Sequence, residues 1–320
     1  MKELREELVA LLAETVAGFA RNEIRIEAEP AERILPAGAS RFGGIPDCPP
    51  DFVWPYYEGK RSVLEKEEDA PVSVTDAGRI REPLAFLAQF DCREVSAFDR
   101  EGLLPREGTL SFFYGLNTER WGFDPADEGC ARAYWFSPEK ALVPTPPPTD
   151  MRMPEWVKRE SIPPCTLAFS AVRSLPSYDD FGETEEETRL VPLFPRGTFW
   201  AYFDAAVKRL GWEEDDFGGR HKLLGWPDVI QDAMTFDCEM VTSGYYMGDG
   251  SGMDRLTRDE KFAMAKRGRE SWILLFEMGT LRSGDFRLMW GECGHIYFWI
   301  RREDLRNRDF SRIWLIQQCG

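Results

Sequence analysis

Apolar and polar positions alternate with two distinct periods along this chain. Near the start, Leu4, Leu8, Leu11, Leu12 and Phe19 fall on one stripe at helical spacing, which predicts a helix within residues 1–22. Period-two alternation then takes over. Glu23–Ala28 places Ile24 and Ile26 on one face, Leu84–Phe90 places Leu84, Phe86, Ala88 and Phe90 together, and Gly108–Tyr114 does the same with Leu110, Phe112 and Tyr114. Further strands are predicted at Ala131–Phe136, Thr166–Val172, Phe236–Val241, Ser271–Met278, Phe286–Trp290, Gly294–Ile300 and Trp314–Gln318. Helical spacing returns at Thr198–Leu210. A second helix is predicted from Thr257 to about Gly268, because Thr257 and Glu260 have capping-box spacing.

Between these elements the chain is punctuated rather than periodic. Phe42–Pro46 and Cys48–Pro55 are dense in Gly and Pro and read as turns. Tyr56–Glu82 is polar and charged and reads as an irregular surface excursion. Val143–Pro164 is proline-dense and reads as an extended connector, since proline fixes φ and lacks a donor. Tyr178–Thr188 reads as an acidic surface stretch. Strands outnumber helices without βαβ alternation, so the expected class is α+β leaning to mainly β, with antiparallel sheets and peripheral helices.

Three short motifs recur in the same order. Gly43-Gly44-Ile45-Pro46-Asp47 resembles Leu224-Gly225-Trp226-Pro227-Asp228, Ala85–Phe90 resembles Ile273–Met278, and Gly108–Phe113 resembles Gly294–Trp299. The offsets are 181, 188 and 186 residues, which suggests an internal duplication with pseudo-repeats at 40–136 and 221–318 inside one domain spanning 1–320.

Composition narrows the function classes. The chain has 320 residues, 43% hydrophobic and 30% charged, an ordinary globular balance that can bury a full core. Its net charge of −16 repels phosphate backbones and anionic lipid, arguing against nucleic-acid and membrane partners; it would steer a basic protein partner, although solubility alone explains the acidity as well. The sequence shows no targeting segment and no apolar run long enough to span a bilayer. Seven cysteines without CxxC spacing read as reduced thiols, so a cytoplasmic setting is expected.

A search for chemistry is largely negative. Only His221 and His295 are present, too few for a multi-histidine metal site, so neither metal nor cofactor is expected. Gly250-Ser251-Gly252 lacks the outer glycines of a nucleophile elbow. Asp249, Ser251 and Glu260 reach positions 1, 3 and 12 of a calcium loop, but Asp254 stands where glycine is required. Glu185 to Glu187 and Glu213 to Asp216 are charge runs of solvated type, and Asp237 and Glu239 are expected on one strand face. No catalytic residue is assigned. What remains is a polar and aromatic set inside apolar motifs: Arg41, Trp54, Gln89, His221, Trp226, Gln231, Trp290 and Glu292. These residues either hydrogen-bond the Gly/Pro turns or line a groove for a ligand or partner.

The motifs also carry a resemblance. Arg41-Phe42-Gly43-Gly44-Ile45-Pro46, Phe52-Val53-Trp54-Pro55 and Pro83–Gln89 look like the opening motifs of the bacterial YwqG-like family. Leu167–Pro176 is similar to its central motif, as is His221–Asp228 with Ile230-Gln231. Met289–Gly294 through Tyr297–Ile300, then Asp309-Phe310, resembles its ending. The resemblance runs in order from about residue 40 to the C-terminus and implies a mainly β, roll-like fold, but no reaction. Two features depart from the pattern: Tyr56–Glu82 is longer than the family connector, and Glu292 stands where the family has Asp. The leading expectation is a non-catalytic protein-binding or scaffold protein. The alternative is a small-molecule-binding protein or hydrolase working around Gln89, His221, Trp226 and Glu292.

Overall fold

The computed structural model describes residues 5–59, 73–74, 79–116, 120–182, 184–211 and 219–320. Ten strands form one antiparallel sheet that curls nearly closed, like a barrel, with helices around it. They are, in chain order, β1 (Arg21–Pro30), β2 (Arg41–Phe42), β3 (Ala85–Asp91), β4 (Thr109–Tyr114), β5 (Ala131–Phe136), β6 (Cys165–Ser174), β7 (His221–Leu224), β8 (Trp272–Met278), β9 (His295–Arg301) and β10 (Trp314–Gln318). Their order in the sheet is β10-β9-β8-β7-β1-β6-β2-β3-β4-β5.

That order reads the same from both edges if each strand is matched with the one five places later in the chain. The registers agree. Arg41 of β2 faces Gln89 of β3, as Lys222 of β7 faces Glu277 of β8. Gln89 in turn faces Ser111 of β4, as Glu277 faces Tyr297 of β9. Even the irregularity is shared: the β3–β4 ladder slips between Phe86 and Ala88, and the β8–β9 ladder slips between Leu274 and Phe276. The first strand of each half crosses over, so β1 pairs with β7, β6 with β2, and the two crossed strands with each other.

The inner face is filled by aromatic rings. Phe42, Phe90, Phe112, Phe276 and Phe298 pack with centroids 4.8 to 6.2 Å apart, mixing rings from both halves. Each such burial contributes roughly 1.5–3 kcal/mol, and the filled interior leaves binding to the outside and the ends. The outer edge of β10 is covered. Gln317 N–H donates to Trp121 O at 2.9 Å, and Trp314 Nε1 donates to Gly122 O at 2.8 Å. Gly122 has φ +84°, and a Cβ there would stand 1.8 Å from Leu315 O.

Helices pack outside in two groups. α1 (Glu6–Ala17), α3 (Tyr178–Gly182), α4 (Glu185–Leu190) and α5 (Phe199–Arg209) share one apolar cluster around Leu12, Phe181 and Phe203. α6 (Thr235–Thr242) packs against α7 (Arg258–Ser271) and the β8–β9 face. α2 (Cys92–Ser96) follows β3 and α8 (Arg302–Asn307) follows β9. Among the described residues no helix is long and apolar enough to cross a membrane.

Several expectations need correction. Phe236–Val241 is helical, within α6. Its Cys238 and Val241 join Met234 at helical spacing in a cluster with Trp272 and Tyr297, a fit that six alternating residues also allow. Asp237 and Glu239 therefore share no strand face, and Glu239 is buried, bound by Arg267, Arg301 and Trp272 Nε1. The acidic stretch 178–188 forms α3 and α4, held by the buried ring of Phe181. His221–Leu224, for which no element is predicted above, is a strand. The predicted strand Phe286–Trp290 ends at Leu288, in a hairpin with Leu281–Ser283. Within Tyr56–Glu82, Tyr56–Gly59 pairs with Ile80–Pro83, while most of the intervening segment lies outside the described residues. So does the charge run Glu213 to Asp216. The Thr257–Glu260 capping box is present, with Glu260 N donating to Thr257 Oγ1 and Thr257 N to Glu260 Oε2.

Candidate functional site

Each half of the sheet carries a polar knot that ties the Gly/Pro turn to the next strand. In the first half, Asp47 N–H donates to Gln89 Oε1 at 2.9 Å and Gln89 Nε2 donates to Asp47 Oδ2 at 3.0 Å. Arg41 pairs with the same carboxylate and also donates to Pro36 O and Ile45 O at 3.1 and 3.2 Å. The turn needs glycine: Gly43 has φ +58°, and a Cβ there would lie 2.4 Å from Pro163 O. In the second half, Asp228 N–H donates to Glu277 Oε2 at 3.1 Å. Lys222 Nζ lies 2.8 Å from Asp228 Oδ1 and 3.2 Å from Glu23 Oε2, and donates to Trp226 O at 3.2 Å.

The knots share a geometry but differ in chemistry. By register, Ser40, Gln89, Thr109 and Ser111 in the first half stand where His221, Glu277, His295 and Tyr297 stand in the second. Neutral hydrogen-bonding groups are thus replaced by titratable ones. His295 Nδ1 lies 2.5 Å from Glu277 Oε1, and Tyr297 Oη donates to Asp228 O at 2.6 Å. Burial raises the Glu277 carboxyl against the pull of Lys222. Burial also works against the Lys222 ammonium, but Asp228, Glu277 and Glu23 outweigh it and hold its value above the ordinary lysine range. The His221 imidazole is pushed down to about 3 by burial, with His295 adding to the effect.

Asp228, Glu277 and His295 offer ligand atoms within 4.8 Å of one another, a donor set suited to a divalent cation. The charge is already balanced without one. Glu23, Asp228 and Glu277 face Lys222, Arg25 on Glu23 and Arg220 on Asp228. The ammonium occupies the place beside Asp228 that a metal would take, so these residues do not fit a metal site. Nor does the knot open to a substrate. Glu277, His295 and Tyr297 are fully buried and do not line the neighbouring hollow of 240 Å³, which reaches Glu23, Arg220, Lys222, Trp226 and Asp228.

A larger cleft lies elsewhere, at the end of the sheet where β4 finishes and β9 begins. It holds 700 Å³ and is walled by Tyr114, Trp121, Trp156 and Trp290. Trp290 sits 5.9 Å from Tyr114 and 6.4 Å from Trp156, both edge-to-face, and its Nε1 donates to Gly279 O at 3.1 Å. Tyr114 Oη donates to Arg120 O at 2.7 Å, fixing the ring. The rim carries Lys158, Arg159 and Arg287 against the single carboxylate of Asp285, which pairs with Arg159 at 2.5 Å.

Residues 40–319 match the family described as Domain of unknown function (DUF1963). The chain belongs to the DUF1963 family. The match begins beside Arg41 of the first knot and takes in the walls of the cleft and the second knot except Glu23, leaving α1 and β1 outside. No curated protein matches.

Within this DUF1963 domain, the residues singled out from the sequence do not converge. Arg41 and Gln89 belong to the first knot, and Trp226 caps the second, its Nε1 donating to Phe19 O at 2.8 Å and its ring stacked under Arg21. His221 is buried against Phe42. Trp54 Nε1 donates to Leu84 O at 2.9 Å, and Gln231 N–H donates to Gln318 Oε1 at 3.2 Å. Glu292 lies in the turn before β9, its carbonyl accepting from Gly320 N–H at 3.1 Å. Trp290 alone of the set lines the large cleft. Sequence reasoning missed Tyr114, Trp121 and Trp156 there. The available signal was Trp156, a large aromatic in a proline-dense connector with no periodic face to join.

Proposed function

We propose that this DUF1963 protein is a non-catalytic small-molecule-binding protein whose ligand lies in the aromatic cleft. The ligand presents a flat unsaturated ring to Trp156 and Trp290 and an anionic group to Lys158, Arg159 and Arg287. One observation carries this reading: three basic side chains border a tryptophan-walled cleft in a chain of net charge −16. The volume of 700 Å³ is that of an ordinary ligand site. Rings stack on aromatic walls, and guanidinium groups pair with carboxylate or phosphate. The enclosed second knot supports a binding role over a catalytic one.

The test is calorimetric titration with a panel of aromatic carboxylates and nucleoside phosphates, using aliphatic acids as controls. Binding confined to the aromatic anions, and lost in Trp156→Ala and Arg287→Glu, is the expected result. Either no binding across the panel or undiminished binding in both variants removes the proposal.

A protein partner remains a second reading, favoured by Trp200 in the first turn of α5 and Leu193 before it, which are 62% and 53% exposed. Recovery of a stoichiometric partner that Trp200→Ala releases would support it. The finer naming as YwqG-like rests on motif resemblance, and a reducing, cytoplasmic setting is supported by seven free thiols, five of them buried.

A further inference from the structure

A second cleft, of 520 Å³, lies at the opposite end of β9 and differs in character. It is formed by the loop Glu101–Arg106 and by α8 with the residues after it. Four arginines line it: Arg106, Arg302, Arg306 and Arg308. Among the described residues none of the four guanidinium groups makes a salt bridge or hydrogen bond, and that of Arg308 lies 5.0 Å over the ring of Trp135. Other arginines of this acidic chain, among them Arg41, Arg159, Arg220, Arg267, Arg301 and Arg312, pair with carboxylates, whereas these four gather in one cleft without such a pair. The one carboxylate lining the cleft, Glu101, already accepts Asn22 N–H at 2.7 Å.

Placing these charges together costs free energy. Burial lowers the Arg302 guanidinium; Glu101 opposes this, and Arg306 adds to it. Arg21, whose own value falls to about 10 mainly through burial, also feels Arg302. Arg302 is moreover the first residue of α8, where the helix dipole disfavours a cation. Arg306 and Arg308 stand at the other end, where a cation is welcome, so local helix energetics explain them but not Arg302. Guanidinium groups gathered in one cleft without salt bridges of their own are what a multiply charged oxyanion requires, because each fork presents paired donors to its oxygens. The remaining wall is apolar, with Leu103, Leu104, Pro105, Ile273 and Leu305, and suits an organic body rather than a bare ion.

We infer that this arginine-lined cleft binds the phosphoryl group of a small organic phosphate, at a site separate from the aromatic cleft. Its position supports the assignment. The loop Glu101–Arg106 joins β3 to β4, and its counterpart joining β8 to β9 builds the aromatic cleft. α8 follows β9, and its counterpart after β4 supplies Leu116 and Trp121 to that same aromatic cleft. The two clefts are therefore equivalent places in the two halves, furnished differently.

The test is calorimetric titration of the full chain at low salt with inorganic phosphate, pyrophosphate, a sugar phosphate and the unphosphorylated sugar. The phosphates should bind and the neutral sugar should not, with affinity falling as salt rises. Tighter binding of the sugar phosphate identifies an ester as the ligand class, and equal binding identifies the free oxyanion; either supports a phosphoryl site. Arg306→Gln, at an exposed position that leaves the fold intact, should weaken binding at least tenfold, and Arg302→Gln by more. Trp156→Ala should leave it unchanged, which separates this site from the aromatic one. Absence of binding by every phosphate at millimolar concentration, or full affinity in both arginine variants, overturns the inference.

Discussion

Replacing His221 by leucine should change how stability depends on pH, by an amount that follows from its surroundings. The imidazole is 5% exposed on β7, between strand neighbours Ile26 and Met278, with the Phe42 ring 5.0 Å away. Its Nδ1 finds no hydrogen-bond partner among the described residues. Burial, then the nearby His295, pushes its value down to about 3 from the ordinary 6.5. A base depressed on folding is neutral in the native state but takes up a proton when unfolded. Its contribution is thus fully present above pH 6.5 and is lost as pH falls toward 3. Between neutral pH and pH 5 the loss from this group alone is about 2 kcal/mol. Glu277 works in the opposite direction, since its raised carboxyl binds a proton more readily when folded. That contribution is common to both proteins and cancels in their difference. Urea unfolding at pH 7.5, 6 and 5 reads it directly: the wild-type midpoint should fall more than that of His221→Leu, the gap growing to about 2 kcal/mol at pH 5. Parallel curves would show that the imidazole titrates normally and that its burial is misjudged.

The two knots should respond unequally to substitution. Gln89→Leu strands the Asp47 N–H and should cost about 3 kcal/mol, whereas Glu277→Gln keeps an acceptor for Asp228 N–H and should cost about 1 kcal/mol in the same denaturation assay. A Glu277→Gln cost equal to that of Gln89→Leu would mean that the attraction between Lys222 and the Glu277 carboxylate holds the fold. Gly122→Ala should lower the thermal midpoint by more than 5 °C, because a Cβ must displace Leu315 O at a positive φ; a shift under 1 °C would show that the covering segment gives way freely.

Most of the sheet was legible because its strands alternate cleanly. Ala131–Phe136 and Trp314–Gln318 match the sequence reading at both ends, and the repeated motifs land at equivalent registers with the same offsets. What failed was short or context-bound. α6 looked like a strand because Phe236, Cys238 and Met240 alternate, and only the partners Trp272 and Tyr297 show that Met234, Cys238 and Val241 form the buried face. The site was less legible still. Gln89 stands out as a polar residue in an apolar strand, but whether such a residue lines a groove or ties a turn depends on where Asp47 N–H points. The aromatic cleft gathers Tyr114, Trp156 and Trp290 from three distant segments, and no local pattern announces a meeting of that kind.

The pseudo-symmetry explains where recognition can occur in this fold. Registers, slips and knots are shared between the halves because both must close the same curled sheet around one aromatic interior. That shared part is packed solid, and the titratable excess of the second knot lies sealed beneath Lys222 and Asp228. The halves diverge in the connections from β3 to β4 and from β8 to β9, which carry no register constraint. One connection builds a helix and the arginine-bearing loop, the other a hairpin and Trp290. Each meets the segment that follows β9 or β4, so each half forms one cleft between its own connection and the outlet of the other half. Two such openings with opposite chemistry, one aromatic and one cationic, are what a sheet with equivalent ends offers once its loops are free to vary.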